Sequence, residues 1–182
     1  MTTTFVVHVE DRPGVLTRVT EVFRRRSFNI SSLTVGPTHE RGVSRMTIAF
    51  EADRGAARRL EANLYKLVNV LRVDDITERA AVHRDLAIVK VATSPETRSD
   101  VMQLVEVFRA RVVDVAPTSL VIEITGTGDK IDGLVEVLRP YGVLELARTG
   151  VVAMTRGLDL VQHRKQRATD ATPDDPSVAH SV

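Results

Sequence analysis

Cysteine is absent from all 182 residues, which excludes disulfides, thiolate metal sites and cysteine nucleophiles. An excess of either charge is missing too: 25 Lys and Arg stand against 24 Asp and Glu, for a formal net charge of +1. Nucleic acid and anionic membrane both call for a basic excess on some face, so neither is expected as a partner. No run approaches the roughly 18 apolar residues needed to span a bilayer. Met1-Thr2-Thr3-Thr4 leads straight into an alternating apolar segment, without the charged and hydrophobic regions of a signal peptide. A cytoplasmic protein is the expectation.

The chain does contain enough apolar material for a core. Hydrophobic residues make up 43% and charged residues 27%, a composition typical of packed globular domains. The length suits one medium domain or two of roughly 70–80 residues each.

Apolar spacing resolves the first half into six elements. Phe5, Val7 and Val9 alternate with Val6, His8 and Glu10, as in a strand with one well-buried face. Pro13 and Gly14 break it, and Val15, Leu16, Val19, Val22 and Phe23 then share one face of a helix. Residues 30–35 and 44–50 read as strands, separated by the turn chemistry of Gly36-Pro37 and Arg41-Gly42. Leu60, Leu64, Leu67 and Val68 mark a second helix, and residues 70–73 a fourth strand. The order βαββαβ predicts a ferredoxin-like unit, four antiparallel strands with two helices on one face.

The second half follows the same order: strand 86–91, a helix carrying Val101, Leu104, Val105 and Phe108, strands 111–115 and 120–125, a helix carrying Ile131, Leu134, Val135 and Leu138, and a strand at 143–147. Glu21-Val22-Phe23-Arg24 is echoed by Glu106-Val107-Phe108-Arg109, in what reads as the same place in each first helix. The fold class is therefore α+β, with tandem ferredoxin-like domains at residues 1–76 and 84–158 joined by a polar linker at 77–83. From about Gln162 apolar periodicity stops, and residues 159–182 are expected to form a disordered tail, too polar to offset the entropy of ordering.

No catalytic set emerges. His8, His39, His83, His163 and His180 include no pair at the i, i+4 spacing of a helical metal site. Ser31, Ser32 and Ser44 lack a nucleophile-elbow context. Asp74 and Asp75 are adjacent strand residues and point to opposite faces. Gly126-Thr127-Gly128 lacks the glycine spacing and lysine of a phosphate loop, and reads as a turn and cap.

One constellation has chemistry in it. Asp11-Arg12-Pro13-Gly14-Val15-Leu16 joins the first strand to the first helix. A helix N-terminus offers unpaired N–H groups and partial positive charge, a seat for a carboxylate. Gly14 allows close approach to the backbone, and Asp11 can accept hydrogen bonds from an ammonium group; a free amino acid carries both groups on one carbon. Asn29 opens the second strand, where its amide could add a contact. The alternative is plain: Asp11 as helix cap, Gly14 as turn residue, Asn29 as C-terminal cap.

The run from Glu10 to Val19 resembles the opening of ACT domains, small modules that sense amino acids. The following motifs resemble the acetolactate synthase (acetohydroxyacid synthase) small-subunit family. They are Phe28-Asn29-Ile30-Ser31-Ser32-Leu33-Thr34-Val35, Ser44-Arg45-Met46-Thr47-Ile48, Lys66-Leu67-Val68-Asn69-Val70, Phe108-Arg109-Ala110 with Val113-Asp114-Val115, and Ala147-Arg148-Thr149-Gly150-Val151-Val152 with Arg156-Gly157. The resemblance spans about residues 4–158. Ser27 stands where the family usually has glycine, Asp11 where asparagine is frequent, and the tail is longer than usual.

That resemblance implies an N-terminal ACT domain that forms a homodimer, a second ACT-like domain, and no catalysis by the chain itself. It implies valine, or leucine or isoleucine, as effector, held by Asp11, Gly14, Val15 and Leu16 of one subunit and Asn29 and Ile30 of the other. The implied partner is the large catalytic subunit, carrying thiamine diphosphate, magnesium and FAD, which makes 2-acetolactate from pyruvate; this chain would bind no cofactor. Two rival readings are a stand-alone ACT sensor for another enzyme or transcription factor, and a small ferredoxin-like enzyme acting alone.

Overall fold

The computed structural model describes residues 1–157, so the tail expected at 159–182 lies outside the described residues. The first domain runs β1 (Thr2–Glu10), α1 (Val15–Arg25), β2 (Ile30–Pro37), β3 (Val43–Glu51), α2 (Arg54–Leu64) and β4 (Val70–Asp75). Its sheet has the order β2-β3-β1-β4 with antiparallel neighbours. Alternation explains the core: Phe5, Val7 and Val9 from β1 and Met46, Ile48 and Phe50 from β3 point the same way and are all buried against Val15, Val19 and Phe23 of α1 and Leu60 and Leu64 of α2. Phe50 is the centre, taking Phe5, Phe23 and Phe28 edge-on with ring centroids 5.0, 5.1 and 5.6 Å away. Edge-to-face rings add specificity to burial, and here they tie both ends of the sequence around α1 to one strand.

The second domain repeats the order with β5 (Ala81–Ala92), α3 (Arg98–Val107), β6 (Arg111–Ala116), β7 (Ser119–Gly126), α4 (Gly128–Leu138) and β8 (Val143–Arg148), in a sheet ordered β6-β7-β5-β8. Its core is Ala87, Val89, Val91, Leu120, Ile122 and Ile124 against Val101, Val105, Ile131, Leu134 and Leu138. The tandem βαββαβ architecture is as expected. The short echo, however, is out of register. Both first helices end in the same backbone motif, with Ser27 N bonded to Arg24 O and Phe28 N to Phe23 O, and Arg109 N to Glu106 O and Ala110 N to Val105 O. Ser27 and Arg109 both have positive φ, 59° and 52°. Phe23 therefore corresponds to Val105, not to Phe108, and the four matching letters are coincidental.

The connection between domains is not all loop. β5 begins at Ala81, and its first four residues pair with an unforeseen strand, β9 (Val152–Thr155). β9 lies over the helix-free face of the first sheet, where Ala153 is buried with Val6 and Ile76.

Candidate functional site

The loop after β1 holds the first half of the expected site. Asp11 N donates to Gly42 O at 2.8 Å, pinning the loop to the β2–β3 turn. Gly14 has φ +80°, and apart from its own chain neighbours no atom of the described residues lies within 4 Å of where a Cβ would stand. Helix α1 starts immediately after it with no side-chain cap and no acidic residue in its first turn. Asp11 is therefore not a helix cap. Val15 N already donates to Arg12 O at 3.3 Å, so the seat for an anion lies at the N–H groups that follow it in the first turn of α1, with their partial positive charge. Leu16 is 41% exposed beside this opening, whereas Val15 is 4% exposed and belongs to the core. Only the backbone of Val15 can meet a ligand.

Asn29 and Ile30 form the second half. The cap of α1 closes on Ser27 and Phe28, so Asn29 is not part of it. Phe28 packs on Phe50, and the next residue, Asn29, is exposed. Asn29 lines an open cavity of about 480 Å³ with Ser27, Phe28, Ser31 and Glu51. The two halves do not meet within one chain. Ile30 pairs with Phe50, which lies opposite Thr3 at the start of β1, while Asp11 follows the end of that strand. The 11 residues of α1 separate them by about 16 Å.

Residues 5–72 match the family described as an AHAS small subunit-like ACT domain, and residues 84–157 the family described as the small subunit of acetolactate synthase. The acetolactate synthase small subunit of Mycolicibacterium smegmatis is 46% identical over 156 residues, 86% of this chain and 92% of that protein. That of Bacillus subtilis is 45% identical over 150 residues, 82% of this chain and 87% of that protein. The crystal structure of the Thermotoga maritima small subunit superposes with a TM-score of 0.80 at 38% identity, covering 86% of this chain and 98% of the other.

The chain belongs to the acetolactate synthase small-subunit family.

As a small subunit it is regulatory and non-catalytic, and its role lies in branched-chain amino-acid biosynthesis. Among its described residues no group of three or more His, Asp or Glu side chains could hold a metal ion.

Sequence reasoning passed over the residue that braces the first half-site. Arg18 of α1 donates to Asn69 Oδ1 at 2.7 Å, Asn69 Nδ2 donates to Glu10 Oε2 at 2.7 Å, and Glu10 N donates to Asn69 O at 2.9 Å. Asn69, 9% exposed, thus joins the end of β1, the first turns of α1 and the start of β4. Its signal was an asparagine directly before an apolar strand, inside a motif otherwise read only for resemblance.

A second polar cluster lies on the helix-free face of the ACT sheet of this small subunit. His8, Arg45, Arg72 and Asp74 share it, with Arg72 Nε donating to Asp74 Oδ2 at 2.7 Å. Burial, then Arg72 and Arg45, push the His8 pKa below its ordinary value, against the opposing pull of Asp74 and Glu40.

Proposed function

We propose that this small subunit activates the thiamine-diphosphate-dependent catalytic subunit of acetolactate synthase and makes it sensitive to feedback inhibition by valine. The observation that carries the reading is the split site. A helix N-terminus open beside a left-handed glycine, with a carboxylate at Asp11, suits the two charges of a free amino acid. Asn29 and Ile30 are too far away in the same chain to complete it. Two copies joined along the β2 edges would set Asn29 and Ile30 of one protomer near Asp11, Gly14 and Leu16 of its partner, and would pair the backbone groups that an edge strand leaves open.

Leu16 supplies the apolar contact. Burying a branched aliphatic side chain contributes roughly 1.5–3 kcal/mol, enough to favour valine over alanine. Separation of valine from leucine or isoleucine rests on about one methylene, worth ~1–3 kcal/mol. Inhibition then requires valine to bind one state of the complex better than another, with a coupling free energy of about 1–3 kcal/mol. Thiamine diphosphate, magnesium and FAD belong to the catalytic partner in this reading, and the chemistry at pyruvate is theirs.

Calorimetric titration of the purified chain with valine, alongside sedimentation, tests the split site. Saturable valine binding by a dimer is expected. A chain that sediments as a monomer and still binds valine would place the site within one protomer and contradict this arrangement.

A further inference from the structure

β2 carries three things at once. It begins at Ile30, directly after Asn29, and is an edge strand of its sheet. Its helix-free side also bears Ser32 and Thr34, which grip the backbone of one residue from the far end of the described chain. Val151 N donates to Ser32 Oγ at 2.8 Å, and Thr34 Oγ1 donates to Val151 O at 2.8 Å. On the neighbouring strand Arg45 donates to Ala153 O. Both polar groups of the Val151 backbone are thus satisfied by side chains of the ACT domain.

The approach is close enough to demand glycine. Gly150 has φ +85°, and a Cβ there would stand 2.7 Å from Ser32 Oγ. On its other side the segment is held by the second domain. Thr149 N donates to Leu86 O at 3.0 Å, and Arg148 binds Asp85 at 2.7 Å and Asp132 of α4 at 2.7 Å. The covalent connection leaves from β4, at the opposite edge of the sheet from β2. Val151 therefore gives the C-terminal domain a direct contact with the strand that opens at the proposed effector residues.

We infer that Ser32 and Thr34 are positioning residues that pass effector occupancy from β2 to the C-terminal domain through the backbone of Val151. The inference rests on the effector site proposed above. A ligand seated across the dimer edge at Asn29 and Ile30 shifts β2 against its neighbours, and the paired hydroxyls carry that shift into Thr149–Arg148 and so to β5 and α4. Coupling of this kind needs an element that both sites contact, and β2 is that element.

The test uses the full chain with its catalytic subunit. Ser32→Ala combined with Thr34→Val removes both hydroxyls with little change of volume, while Thr34→Ser keeps the hydroxyl as a rescue. Three quantities are read: stimulation without effector, valine affinity of the small subunit by calorimetry, and inhibition by valine. The double variant is expected to keep stimulation and valine affinity while the effect of valine on activity, typically about 5–150-fold in coupled systems, falls toward onefold. Thr34→Ser is expected to behave as the wild type. Full inhibition of the double variant would overturn the inference and leave the effector site standing. Joint loss of stimulation and valine binding would make the pair merely structural and overturn it too. If the wild-type complex responds to none of valine, leucine and isoleucine, the effector reading fails and takes this inference with it.

Discussion

His8 and Asp74 share the helix-free face of the ACT sheet, with His8 Nδ1 and Asp74 Oδ2 4.0 Å apart. That is too far for a hydrogen bond, and among the described residues His8 Nδ1 and Asp74 Oδ1 are buried without a partner. Burial dominates the histidine: its pKa lies below the ordinary 6.5, with Arg72 and Arg45 lowering it further and Asp74 and Glu40 opposing. Between the lowered folded value and 6.5 the unfolded chain binds the proton and the folded chain does not, so stability rises with pH across that window and falls on acidification. His8→Gln is expected to flatten this slope. Thermal melts of both proteins between about pH 7.5 and 5.5 measure it; parallel curves would show that His8 does not titrate differently on folding.

Removing the Asn69 side chain breaks the link between Glu10, Arg18 and β4. Asn69→Ala is expected to cost about 1 kcal/mol, because its side-chain hydrogen bonds to the exposed Arg18 and half-buried Glu10 are lost. It should also weaken valine binding by loosening the first turn of α1. Denaturant melts and calorimetry read the two effects, and an unchanged affinity would separate Asn69 from the site.

Two nitrogens of Arg148 meet Asp85 Oδ2, at 2.8 Å from Nε and 2.7 Å from Nη2, and Asp85 is only 3% exposed. Arg148→Leu leaves that carboxylate buried with Thr149 as its remaining side-chain donor, at a cost of about 3 kcal/mol. Adding Asp85→Asn should recover part of the loss. A double variant as unstable as the single one would show that the carboxylate charge is not the cause.

Gly14→Asp puts a side chain into open space beside the α1 N-terminus, at a φ of +80°. The substitution should abolish valine inhibition while leaving stimulation of the catalytic subunit intact, since the new carboxylate occupies the seat and repels that of valine. The left-handed backbone adds about 1–2 kcal/mol of destabilisation. Valine sensitivity like that of the wild type would remove this site from consideration.

Ser27, by contrast, occupies a left-handed position at φ 59°. Ser27→Gly is expected to relieve strain and stabilise the chain by roughly 0.5–1 kcal/mol, the loop's own entropy offsetting the rest. A lower melting temperature would show that the serine side chain contributes more than its backbone costs.

Much of this architecture was legible because it depends on local periodicity. Phe5-Val7-Val9 and Met46-Ile48-Phe50 alternate, and Val15, Val19 and Phe23 of α1 and Leu60 and Leu64 of α2 bury as their spacing predicts. α2 stops at Leu64, however, and Val68, which the spacing places in that helix, lies beyond it and is 85% exposed. What escaped reading depends on distant partners. β9 is four residues long and exists through its pairing with Ala81–Arg84, a stretch that reads as polar linker. Asp74 reads in the sequence as one of two adjacent strand acids, yet it is 4% exposed, because β9 and Ile76 help close the face it occupies. Val15 points inward while Leu16, the next residue and about 100° away around the helix, stays open. The separation of Asn29 from Asp11 became apparent only once strand register was known.

The most direct test of the account is acetolactate formation from pyruvate by the cognate catalytic subunit, supplied with thiamine diphosphate, magnesium and FAD, with and without this chain, across a valine titration. Stimulation by the chain and its reversal by valine are expected. No stimulation at any ratio of the two subunits would contradict the account.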